Sequence, residues 1–172
     1  MDALTGPAID EGLLLLRVFV GVTFSLHGAQ KLFGWFGGGG LKGTARWFAS
    51  LGFGDGRSAA VMAGAGEVLG GLGLAAGLLT PLSAAAVAGT MTTAALVNND
   101  AAGFWSVAKG WELNGYLIAV AAALAVTGPG RYSLDHLLGL DHLAGPVIGG
   151  VAVLLGILGG WVRWITRDTS GA

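Results

Sequence analysis

Arg17, His27, Lys31 and Glu67 lie in or at the ends of segments that are otherwise apolar enough to cross a membrane. Charge in hydrocarbon is costly, so such residues face a bundle interior and pair there, or mark a pathway or a ligand site. In 12–33, GLLLLRVFVGVTFSLHGAQKLF, His27 and Lys31 stand one helical turn apart on much the same face. Glu67 lies in the next apolar segment, within GAGEVLGGLG. Counted at about 1.5 Å per residue, His27 is roughly 9 Å and Glu67 roughly 12 Å in from the same end of the bundle. Asn98 and Asn99 close the third apolar segment, and Trp111, Glu112 and Asn114 open the fourth. The spacing therefore predicts one pocket formed by His27, Lys31, Glu67, Asn98, Glu112 and Asn114. Its chemistry would suit the carbonyl and hydroxyl oxygens of a quinone. Lys31, Asn98, Glu112 and Asn114 would hold the ring, and His27 and Glu67 would handle protons. A plainer reading stands beside it, in which Glu67–His27 and Lys31–Glu112 are buried ion pairs that only set helix register.

The remaining polar residues suggest less. Arg17 is some 21 Å along the axis from Lys31 and cannot share the pocket; Asp135 is its expected partner in a structural ion pair. His136 and His142 sit beside Asp135 and Asp141, but six steps turn about 600° and share no helical face. No metal site is expected there. Haem is disfavoured because His27 is the single deep histidine and no second axial ligand accompanies it.

These residues must be positioned by membrane helices. The 172-residue chain is 53% hydrophobic and 11% charged, with mean hydropathy +0.71, which indicates an all-α polytopic bundle in a single domain over 1–172. Its 33 glycines suit close helix contact in lipid. The absence of cysteine excludes disulfides, thiolate chemistry and Cys-ligated iron–sulfur centres. Redox work would thus need a bound cofactor or a diffusible quinone. The net charge of −1 offers no basis for nucleic-acid binding. The start, MDALTGPAIDEG, lacks a basic leader region, so the first apolar stretch is expected to be retained.

Five spans are predicted, at 12–33, 59–79, 82–97, 113–127 and 143–165, the third and fourth being short. Pro81 suits the start of the third. Residues 41–53 read as an amphipathic interfacial helix with Trp47 and Phe48 beside Lys42 and Arg46, and 131–143 as a second surface helix. Trp105, Trp111, Trp161 and Trp164 read as interface anchors. With five spans, all nine lysines and arginines except Arg17 and Arg131 gather on one side, while Asp2, Asp10, Glu11, Asp135 and Asp141 fall on the other. The N-terminus is therefore expected outside and the C-terminus in the cytoplasm.

Three segments together resemble the DoxX/DoxD family of small bacterial membrane proteins. They are R-x9-H-G-x2-K-L at Arg17, His27, Gly28, Lys31 and Leu32, G-x-G-E-x2-G-G around Glu67, Gly70 and Gly71, and GPGRYSLD over 128–135. The resemblance covers 12–136 and implies a four-helix core, to which 143–166 adds a further transmembrane helix. It also implies an inner-membrane setting and a redox context. Some relatives are subunits of a thiosulfate:quinone oxidoreductase; others are tied to oxidative stress, often with soluble partners.

Three functions are weighed on this basis. The first is a quinone-linked oxidoreductase subunit using menaquinone or ubiquinone. The second is a non-catalytic scaffold in the bilayer that anchors a soluble redox protein or another membrane subunit, with homo-oligomerisation open. The third is a small transporter or proton pathway, for which no inverted repeat is found.

Overall fold

A computed structural model describes residues 6–168, so Asp2 lies outside the described residues. Among the described residues seven α-helices follow one another: α1 (Pro7–Phe33), α2 (Gly40–Ser50), α3 (Arg57–Ala76), α4 (Thr80–Ala102), α5 (Glu112–Thr127), α6 (Leu134–Leu137) and α7 (Pro146–Ile165). No strand occurs among the described residues. Helices α1, α3, α4 and α7 are long and apolar enough to span a membrane. The fifth apolar helix, α5, has 16 residues, about 24 Å, and stays short of a typical hydrocarbon core as the sequence suggested.

The third span is longer than the apolar run 82–97 predicts, because α4 extends through Asn98, Asn99 and Asp100 to Ala102. The second span ends at Ala76 rather than near 79, where Gly77 takes a left-handed conformation (φ 62°) and closes the helix. Residues 131–143 do not form one surface helix. They make the single turn of α6, capped by Ser133, and a 3₁₀ turn over Asp141–Leu143.

Backbone contact sets the packing order. The backbone of Gly21 on α1 meets Gly71 and Ala75 on α3, and Gly28 meets Gly64 and Val68, so any Cβ at these glycines would overlap the facing helix. Gly66, Gly70 and Gly73 face α4 instead, against Thr90, Ala86 and Ser83. Gly156 and Gly160 of α7 lie on Ala85 and Gly89 of α4, and Gly149 lies on Ala125 of α5. These registers make α1, α4 and α7 run one way and α3 and α5 the other. Close approach of this kind replaces the hydrophobic drive that lipid does not supply. Phe24, Leu74, Val87, Leu124 and Val153 fill the centre, while Leu15, Phe19, Leu154 and Leu158 face outward from α1 and α7.

The same registers bring the ends of α1, α4 and α7 and the starts of α3 and α5 to one end of the bundle. Lys31, Lys42, Arg46, Arg57, Lys109, Arg163 and Arg167 all lie on or between these helix ends. Helix α2 lies over this end as expected: it buries Thr44 and Phe48 and exposes Lys42, Arg46 and Trp47. The Thr44 hydroxyl donates to the Lys31 carbonyl at 3.1 Å, which pins α2 to the end of α1.

Candidate functional site

Beneath α2 the helices leave a cavity of about 630 Å³. Its walls are mostly apolar: Phe24 from α1, Ala85, Ala86 and Met91 from α4, Leu117 from α5 and Leu155 from α7. Trp47, Phe48 and Phe53 close it from α2 and the following loop. Of the six residues expected to share a pocket, five line this one: His27, Lys31, Glu67, Asn98 and Asn114.

Their pairing differs from the sequence expectation. Glu67 accepts two hydrogen bonds from Lys31 Nζ, at 2.8 Å to Oε1 and 2.7 Å to Oε2. The pair forms because Gly28 and Gly64 bring α1 and α3 almost into backbone contact, which puts Lys31 level with Glu67. The Glu67 side chain is 4% exposed and that of Lys31 26%. The carboxylate is thus enclosed, while the ammonium keeps access to the end of the bundle. His27 is not the partner of Glu67; it is exposed, and its Nδ1 lies 3.1 Å from Gln30 Oε1.

Glu112 is not in the cavity and does not pair with Lys31. It folds back on its own loop, where it accepts from the Ser106 backbone N–H at 3.0 Å and from the Ser106 hydroxyl at 2.8 Å. It stands ahead of the apolar part of α5, and these two bonds, the backbone one first, hold its carboxyl below the usual range. A side chain aimed at the loop cannot also reach across the bundle to α1. Asn98 donates to Asn114 Oδ1 at 3.0 Å, and Asn114 donates onward to Met91 Sδ at 3.3 Å, so the two asparagines join α4 to α5 at the cavity wall.

The arrangement offers an apolar chamber with polar groups gathered towards one end. Lys31 carries donors beyond the two it spends on Glu67. Among the described residues, Lys31 is the hydrogen-bond partner of Glu67, which lines the cavity beside it. Among the lining residues that escape sequence reading are Arg163 and Thr93. Arg163 enters from the last turn of α7, with its guanidinium 4.6 Å from the centre of the Phe53 ring. Thr93 lines the cavity while donating to the Gly160 carbonyl at 3.0 Å. Both depend on the parallel contact of α4 with α7, which no local pattern announces.

Arg17 and Asp135 occupy the opposite end, as their sequence positions required, but they do not form a direct ion pair. Arg17 donates to the backbone carbonyls of Ala75 and Tyr132. Asp135 accepts from the N–H groups of Leu79 at 2.7 Å and Thr80 at 2.9 Å, and from the Thr80 hydroxyl at 2.7 Å. The cation thus satisfies one carbonyl left over at the end of α3 and one in the loop before α6, and the anion satisfies amides left over at the start of α4. Both are almost fully buried, at 2% and 1% exposure. They clasp the α3–α4 turn, where Leu79 is held at φ 45°. His136 Nδ1 lies 3.0 Å from Asp141 Oδ2, and His142 Nδ1 lies 3.1 Å from the Gly139 carbonyl. Among the described residues, no three histidine or acidic side chains gather as a metal site would require.

Comparison with known protein families gives a match. The family model for DoxX matches residues 12–100, from the first apolar turn of α1 almost to the end of α4. No curated protein and no solved structure matches this chain. The matched region takes in Arg17, His27, Lys31, Glu67 and Asn98, and covers more than half of the chain. With its apolar helices, this protein is a multi-pass membrane protein, and it belongs to the DoxX family.

Proposed function

We propose that this protein is a membrane subunit of a redox system and takes a quinone, menaquinone or ubiquinone, into the cavity beneath α2. The observation that carries the reading is the enclosed Lys31–Glu67 pair at the polar end of a largely apolar cavity of about 630 Å³. That volume lies within the roughly 300–1,000 Å³ usual for ligand sites, and its lining of many apolar groups with few convergent polar ones is the usual composition. A quinone supplies reversible uptake of two electrons and two protons. Lys31 and the Asn98–Asn114 pair would orient ring oxygens. Glu67 would pass a proton, with Lys31 balancing the charge it leaves. His27 lines the cavity from the exposed face of α1, where it can exchange protons with the bundle end. Electrons would reach the quinone from a bound cofactor or from a partner, because the chain has no cysteine to carry them itself.

The concentration of lysine and arginine at the α2 end supports placing that end in the cytoplasm and the N-terminus outside a bacterial inner membrane. The test is gentle purification from native membranes, with mass spectrometry of the extracted lipid. Near-stoichiometric quinone is expected in the wild type and loss of it in Glu67→Gln. Retention in both Glu67→Gln and His27→Ala would refute the site. A wild-type protein without quinone that instead recovers a soluble redox protein would favour the scaffold reading.

A further inference from the structure

The cavity carries one charge that the quinone reading leaves unused. Lys31 and Glu67 neutralise each other. Arg163 lines the same cavity, and among the described residues no carboxylate lies within ion-pair distance of it. The reason is competition at the C-terminal end of α7 and just beyond it. Asp100, at the end of α4, is held by Arg167 at 2.5 Å and by the Trp164 indole N–H at 3.3 Å. Arg163 is left with a cation–π contact to Phe53, which uses none of its N–H donors. Counted over Lys31, Glu67 and Arg163, the permanent charge of the lining sums to one positive charge, beside walls that are mostly apolar. Low-dielectric walls strengthen the attraction of such a cation for an anion relative to open water.

We infer that the cavity selects a ligand with a single oxyanion on an apolar body, and that Arg163 is the residue that sets this preference. The inference rests on the same cavity as the quinone reading and goes beyond it: menaquinone and ubiquinone have no ring hydroxyl to ionise and enter as neutral ligands, and the cavity prefers over them a quinone ionised at a ring hydroxyl. A long-chain carboxylate offers the same chemistry from a different source. A competing role for Arg163 is to reach out to lipid phosphate, which would leave ligand choice untouched.

The experiment uses the full chain in nanodiscs of zwitterionic lipid, with tryptophan quenching as the readout and partition into protein-free discs subtracted. Three probes are titrated: an alkyl hydroxynaphthoquinone ionised at neutral pH, its neutral methoxy analogue and a long-chain fatty carboxylate. The wild type is expected to favour the ionised quinone over the neutral one by about tenfold, the scale for a partly exposed charge pair in a weakly screened site. Arg163→Gln should erase that preference, with most of the loss falling on the ionised quinone. Arg163→Lys, which keeps the charge, should retain most of it and guards against a folding defect in the first variant. Equal wild-type affinity for the two quinones, or an unchanged preference in Arg163→Gln, overturns the inference and leaves the quinone reading standing. Binding of the carboxylate alone, dependent on Arg163, upholds the inference and removes the quinone. No binding by any probe refutes both.

Discussion

Breaking the Lys31–Glu67 pair from its two ends should give unequal results. At 2.7 Å and an effective dielectric of about 20, the gross attraction is about 6 kcal/mol, most of it offset by the cost of enclosing two ions. What a variant loses depends on what it leaves behind. Lys31→Met leaves a carboxylate that is 4% exposed with no cation, a loss of about 3–5 kcal/mol. Glu67→Gln leaves an ammonium that is 26% exposed on a flexible stem and can still donate to the new amide; the loss should be nearer 1–2 kcal/mol. The double variant Lys31→Met/Glu67→Leu removes both ions and should recover most of the loss of Lys31→Met. Folding free energies in mixed micelles, titrated with anionic detergent and followed by tryptophan fluorescence, would measure all three. Equal losses in the two single variants, or a double variant as unstable as Lys31→Met, would refute the view that Glu67 is the enclosed partner and Lys31 the accessible one.

The helix contacts and the clasp give further expectations. Gly21→Ala and Gly28→Ala should each cost about 1–3 kcal/mol through overlap with α3. Gly12→Ala and Gly150→Ala have no atom within 4 Å of the new methyl and should be neutral or mildly stabilising, by up to about 1 kcal/mol; the same unfolding assay would check both pairs. Asp135→Ala leaves two amides and a hydroxyl unmatched at the start of α4, and a loss of about 1–3 kcal/mol is expected. Protease cleavage at the α3–α4 turn should rise in this variant, and an unchanged cleavage rate would count against the clasp.

How much was legible in the sequence differs by residue. Hydropathy and glycine content alone require a membrane bundle, because a chain with 11% charge cannot cover a water-facing surface of this size. The depths of His27, Lys31, Glu67, Asn98 and Asn114 follow from counting along helices, and these five do line one cavity. The separation of Arg17 from them follows from the same arithmetic. Which partner each charge takes was decided by rotation and register between helices. Lys31 reaches Glu67 because Gly28 and Gly64 let α1 and α3 touch, whereas His27, only four residues earlier, turns outward. Glu112 is withdrawn from the pocket by a local bond to Ser106, which no periodicity signals. Arg17 and Asp135 share a region as their positions suggested, but each finds exposed backbone groups at a helix end before it finds the other. Arg163 enters the site only through the contact between α4 and α7, which are remote in sequence. A sequence fixes composition, period and depth along one helix. The angle at which that helix meets its neighbour depends on atoms from both, and only the folded bundle supplies them together.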